Sequence, residues 1–176
     1  MADLLTAEAE GRLPGLVLFW GDTPSAPDPG PWVLSQWWAA PFTVDGVAYR
    51  TAEAYMMAEK ARLFGDEDAL AVVLAASEPA VVKRAGRLVT PFDSDVWDAH
   101  RYDVVVRGNV AKFAAHDDLR AYLLSTAPRA LVEASPEDRV WGIGLAAGDT
   151  AAQRPSAWRG DNLLGFALMD VRERLA

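Results

Sequence analysis

The sequence predicts one mainly helical α+β domain with a small antiparallel sheet. Three observations carry this. Most of the chain beyond residue 50 falls into helix-length segments bounded by capping residues and helix breakers. Only short apolar runs, such as "LVLFW" at 16–20 and the stretches around Asp45-Gly46, read as strands. No internal repeat and no linker divides the chain, whose 176 residues suit one sizeable core.

In order, residues 1–15 form a loose or short helical lead-in, and the domain proper runs over 16–176. "LVLFW" gives a first strand, and "GDTPSAPDPGP" (21–31), with four prolines, a loop. Asp45-Gly46 between "FTV" and "VAY" predicts an antiparallel hairpin. Thr51 stands as N-cap of a helix over 52–64, ended by Gly65. Helices follow over 66–76, from Pro79 to about Gly86, over 94–115 behind Asp93, and over 117–126 before Pro128. Residues 130–146 read as strand and loop, and 147–158 as a flexible loop. A last helix starts near Asp161, taken as its N-cap, with Leu164, Leu168, Val171 and Leu175 on one face.

Composition narrows the function. Zero cysteines exclude disulfides and thiolate metal sites, and two histidines, His100 and His116, exclude a histidine-rich one, so no metal or cofactor is expected. No apolar run is long enough to span a bilayer, and no signal peptide opens the chain, which points to a cytoplasmic protein. A net charge of −8 opposes extended duplex binding, which depends on phosphate neutralisation, but leaves room for one nucleotide or one base in a pocket.

On a wheel at about 100° per residue, Glu53, Met57, Lys60 and Phe64 share one stripe, with Glu53 and Lys60 roughly 10 Å apart along the axis. Two readings stand. Glu53 is favoured in a first helical turn by the macrodipole, and Lys60 snorkels or pairs elsewhere. Alternatively the stripe walls a polar cleft, where Glu53 is a general base or faces a developing positive charge and Lys60 holds a phosphate. Seven tryptophans, four of them Trp20, Trp32, Trp37 and Trp38, supply surfaces on which a nucleobase stacks, and Trp20 is carried as a candidate. "DRVWGIG" places Asp138 three residues before Trp141, with Gly142 allowing close approach to the backbone. "WRGDNLLG" sets Arg159, Gly160 and Asn162 at a helix start suited to phosphate. Gly86-Arg87 and Lys112 are further cationic candidates.

"LSQWWAAPFTVDGVAYRTAEAYMMAEKARLF", "FDSDVWDAHRYDVVVRGNVAKF", "DRVWGIGL" and "WRGDNLLGFALMDVRERL", in this order, resemble the NADAR (YbiA-like) family over nearly the whole chain from Phe19. The resemblance implies a mainly helical α+β fold and a metal-free N-glycosidase cleaving ribosyl–nitrogen bonds. It implies as substrates early ribosylamino-pyrimidine intermediates of riboflavin synthesis or ADP-ribosylated guanine. The partner is then a small ribosyl phosphate or ADP-ribose conjugate, or a single modified nucleobase in DNA. The competing class is a non-catalytic module that holds ADP-ribose or another nucleotide.

The family glutamate falls on Glu53 and its lysine on Lys60. Its W-D pair falls on Trp97 and Asp98, its D-x-x-W-G on Asp138, Trp141 and Gly142, and its N-x-L-G on Asn162, Leu164 and Gly165. On that reading Glu53 stabilises the cationic sugar and Asp138 places water or a ribose hydroxyl. Trp97 and Trp141 stack the base or line the sugar pocket, while Lys60 and Arg159 bind phosphate. Ala54 replaces a usual histidine, Ser35-Gln36-Trp37 the usual S-N-F, and Ile143 an aspartate typical of the riboflavin-type branch, which weakens the case for that substrate.

Overall fold

The structure, a computed structural model, describes residues 1–176. It is a mainly helical α+β fold whose chain forms two compact units, one of residues 1–35 and 118–176, the other of residues 36–117.

In the first unit, α1 (Ala2–Ala9) precedes β1 (Leu16–Phe19), and a 3-10 turn follows at Pro31–Leu34. The chain returns with α6 (Asp117–Ser125, starting at the boundary), β4 (Ala130–Glu133), two 3-10 turns at Thr150–Gln153 and Pro155–Ala157, and α7 (Leu163–Arg174). The sheet here differs from the expected antiparallel one: β1 and β4 pair in parallel, Leu16 opposite Ala130 and Phe19 opposite Glu133. A parallel pair needs a long crossover, which the residues between the strands supply. Being buried, β4 reads as the continuous apolar run "ALV" rather than as an alternation. Leu164, Leu168 and Val171 of α7 are buried, and Gly165 lets that helix reach β4: a Cβ there would stand 2.1 Å from the Leu131 carbonyl oxygen. Val132, Ala134, Ile143, Leu145 and Ala152 form a core cluster.

Two local expectations fail in this unit. The 147–158 segment is built rather than loose. Asp149 accepts from the Ala151 N–H, Trp158 Nε1 donates to the Ala152 carbonyl, and Glu8 of α1 accepts from the Ser156 N–H and hydroxyl. Asp161 does not cap α7. The cap position is Asn162, at φ 54°, and its side chain makes no cap bond because it is engaged by β4.

The second unit holds the antiparallel hairpin β2 (Phe42–Val44) and β3 (Val47–Tyr49), with Asp45 and Gly46 both at positive φ as a type I′ turn requires. Then come α2 (Ala52–Phe64), α3 (Glu67–Ala75), α4 (Pro79–Arg87) and α5 (Ser94–Ala114). Thr51 Oγ1 accepts from the Ala54 N–H, and Gly65 closes α2 in the left-handed conformation. Asp66 caps α3 and also accepts from the Thr90 N–H. The α2 helix packs against α3, α4 and α5 together, so Ala52 through Ala58 are all buried and the apolar stripe is not its only buried face. Phe42, Tyr49 and Tyr55 form an aromatic trio, and Tyr55 lies against Gly108 of α5, where a Cβ would stand 2.4 Å from its ring.

Candidate functional site

The second unit carries Glu53, Lys60 and Trp97. Glu53 is the second residue of α2, in the turn where the macrodipole favours an anion. It retains only 8 % of its surface exposed. Its backbone N–H, one of the donors a helix start leaves orphaned, donates to the Gln36 carbonyl at 2.9 Å.

Two turns on, the Lys60 ammonium donates to the Gly86 carbonyl at 2.8 Å. Gly86 lies in the last turn of α4, so the cation meets carbonyls at the negative end of that helix. The same Nζ lies 4.2 Å from the centroid of the exposed Phe92 ring and 5.8 Å from that of the buried Trp97. Burial holds the Lys60 pKa below the usual lysine value. Phe64, the fourth member of the stripe, meets Phe92 edge-on at 5.1 Å. Close contact between α2 and α4 depends on Gly86, where a Cβ would stand 1.8 Å from Met57 Sδ. Asp98 is exposed and forms an ion pair with Arg101 at 2.7 Å. Lys112 is buried outright at the end of α5, and burial pushes its pKa down to about 7.

Phe92, Gln36 and Asn109 belong to this surrounding; of these the sequence brings forward only Gln36, as a departure from the family S-N-F pattern and not as a site residue. Gln36 Nε2 donates to Asn109 Oδ1 at 3.1 Å, and Asn109 Nδ2 donates back at 3.3 Å and to the Val105 carbonyl at 2.8 Å. The available signal was Asn109 lying in helical register with Val105 and Phe113 on the apolar face of α5.

The first unit carries Asp138, Trp141, Gly142, Arg159, Asn162 and Trp20. Asp138 Oδ1 accepts from the N–H groups of Val140 and Trp141, both at 2.8 Å, and so shapes the D-x-x-W-G loop. Gly142 sits where a Cβ would press on the Glu133 and Asp138 carbonyls, and Gly160 approaches the Gly142 carbonyl in turn. Fully buried Asn162 accepts from the Glu133 N–H at 2.9 Å and donates to the Leu131 carbonyl at 3.0 Å, acting as an extra strand edge for β4. Arg159 is exposed, Trp141 is half-buried, and Trp20 is 62 % exposed. Ile143 is a core residue of the Val132–Leu145 cluster.

A mainly helical α+β fold carrying these motifs in this order defines the class, and the chain belongs to the NADAR domain family, whose model matches residues 18–176. It is 41% identical over 146 residues to the N-glycosidase R617 of Acanthamoeba polyphaga mimivirus, covering 80% of this chain and 86% of that protein. It is 36% identical over 143 residues to the N-glycosidase YbiA of Escherichia coli strain K12, covering 81% of each. The NMR structure of the E. coli protein YbiA superimposes with a TM-score of 0.74 at 31% identity, over 93% of this chain and 86% of that one. No helix is long and apolar enough to cross a membrane.

Proposed function

We propose that this chain is an N-glycosidase that hydrolyses a ribosyl C1′–N bond in a phosphorylated ribosyl or ADP-ribosyl conjugate. The observation that carries the reading is Glu53: a nearly buried carboxylate fixed in the first turn of α2, two turns from a cation flanked by aromatic rings. Breaking the C1′–N bond leaves the sugar positive while the base departs with the electron pair. A carboxylate beside C1′ stabilises that charge and orients the water that attacks it. Glu53 takes this role. Trp97 offers the surface for the leaving base, and Lys60, with donors beyond the one engaged by Gly86, meets the phosphate.

Within the first unit, Asp138 and Asn162 act through the backbone they organise, and the exposed Trp20 and Arg159 are that unit's own candidates for base stacking and phosphate contact. Of the two substrate types, ADP-ribosylated guanine is favoured. Ile143, where the riboflavin-type pattern has an aspartate, is sealed in an apolar cluster and brings no carboxylate to a substrate.

The test is a side-by-side assay of ADP-ribosylated guanine and a ribosylamino-pyrimidine phosphate with the parent chain and Glu53→Gln, reading the released base together with ADP-ribose from the first and ribose phosphate from the second. The expected result is turnover of the first substrate and a kcat about 10²–10³ lower in the variant with binding retained. A fall well under tenfold removes Glu53 from the role. Tight binding of either conjugate with no product from the parent chain establishes the nucleotide-holding module instead.

A further inference from the structure

We infer that the buried amide pair Gln36–Asn109 is the positioning element that holds Glu53 in place, an inference that rests on the assignment of Glu53 above. The helix that carries Glu53 begins with two tethers. One is local: Thr51 Oγ1 accepts from the Ala54 N–H at 3.1 Å. The other comes from outside the helix, where the Gln36 carbonyl accepts from the Glu53 N–H itself at 2.9 Å. That tether is only as firm as Gln36, which lies in a segment without regular structure. What fixes Gln36 is α5. Its side-chain amide exchanges two hydrogen bonds with Asn109, which is 0 % exposed, and Asn109 is anchored in turn to the Val105 carbonyl of its own helix.

The route from α5 through Asn109 and Gln36 to Glu53 is thus continuous in hydrogen bonds. Both amides are buried, and each satisfies the other in both directions, so neither has reason to rotate away. The consequence is geometric. Trp97 also belongs to α5, so the helix that presents the proposed base-stacking ring also sets the position of the carboxylate. A carboxylate that must sit beside a developing charge loses effect steeply with small displacement. Gln36 and Asn109 touch no reacting atom on this account; they act through the Glu53 backbone.

The test uses the full chain with Gln36→Met and Asn109→Leu together, which replaces both amides by apolar groups of similar shape, so that neither amide is left without the other and only the side-chain bond to the Val105 carbonyl is lost besides. Should that pair not fold, Gln36→Met alone leaves α5 intact and gives the same comparison. Two readouts are taken on folded protein. In amide hydrogen exchange, the Glu53 N–H should lose protection by on the order of tenfold while amides in the middle of α2 keep theirs. In kinetics, kcat per folded molecule, with the folded fraction taken from urea unfolding, should fall by about tenfold to a hundredfold with KM within about twofold, a fall that loss of folded population alone does not produce. Unchanged Glu53 exchange, or a kcat within about twofold of the parent, overturns the inference. Glu53→Gln run alongside separates the two assignments. If it retains full rate, the role of Glu53 falls and the exchange result alone judges the tether. If it is inactive while the apolar pair is fully active, only the positioning role falls.

Discussion

Lys60→Met keeps a long unbranched stem on α2 and removes only the ammonium. In the fold that ammonium donates to the Gly86 carbonyl at 2.8 Å and lies 4.2 Å from the Phe92 ring. A hydrogen bond to a charged group contributes about 1.5–3 kcal/mol. The C-terminal end of α4 adds about 0.3–1 kcal/mol, and the cation–π contact with an exposed ring about 0.5–1 kcal/mol. The desolvation that lowers the Lys60 pKa opposes all three. The net loss expected is therefore about 1–2 kcal/mol, or a Tm lower by about 2–8 °C for a chain of this size. Phosphate binding adds a second, independent signature. Losing a charge-assisted contact raises KM for the phosphorylated substrate about tenfold to a hundredfold, while KM for the bare nucleoside barely moves. Thermal unfolding and paired Michaelis curves measure both. An unchanged Tm refutes the helix-end argument, and equal KM changes on the two substrates refute the phosphate contact.

Lys112 makes stability pH-dependent. Its pKa is pushed down to about 7 in the fold by burial, so between there and the unfolded value near 10.4 the unfolded chain binds more protons and stability rises with pH. The rise between about pH 7 and 9 should be about 2 kcal/mol in urea unfolding, and Lys112→Met should flatten it; an equal slope in the variant refutes the assignment. Tyr55, raised to about 12 chiefly by its own burial, acts only above about pH 10 and with the opposite sign. Asn162→Ala strands the Glu133 N–H and the Leu131 carbonyl, costing about 2–4 kcal/mol and about 5–15 °C in Tm. Its KM per folded molecule should stay unchanged, and a tenfold rise would instead return Asn162 to substrate contact. Gly108→Ala gains about 1 kcal/mol of helix propensity but drives a methyl into the Tyr55 ring, so a net loss of about 1–2 kcal/mol is expected; a variant as stable as the parent in urea refutes the packing argument.

Much of the fold was legible because its punctuation is local. Thr51 and Gly65 bound α2, Asp93 opens α5, and Asp45-Gly46 turns the hairpin, each through bonds or dihedrals set within a few residues. What failed to show was set from afar. The parallel pairing of β1 with β4 joins strands on opposite sides of an entire unit of the chain, and nothing in either strand states its partner. Asp161 satisfies the local rule for an N-cap, yet the helix starts after Asn162, because that side chain is committed to β4. A wheel drawn for α2 alone finds the stripe of Glu53 and Lys60 but not the burial of Ala52–Ala58, which three neighbouring helices impose. The roles of Phe92, Gln36 and Asn109 escaped for the same reason: their meaning lies in partners 17 to 73 positions away, not in spacing.

The motif residues therefore divide by what their side chains do. Asp138 and Asn162 spend theirs on backbone N–H and carbonyl groups of their own unit, and Gly165 yields its side-chain space to a backbone oxygen. These make the family recognisable because they make its fold. Glu53 differs: a carboxylate placed on the wall of a largely buried helix must offset the desolvation of its charge. Loss of activity on replacing Asp138 or Asn162 thus reports first on folded population, and only kcat and KM per folded molecule speak to the reaction. At Glu53 the inference runs the other way. A variant that folds as well as the parent or better, yet turns over substrate 10² times more slowly, is what a group retained for chemistry rather than for stability must give.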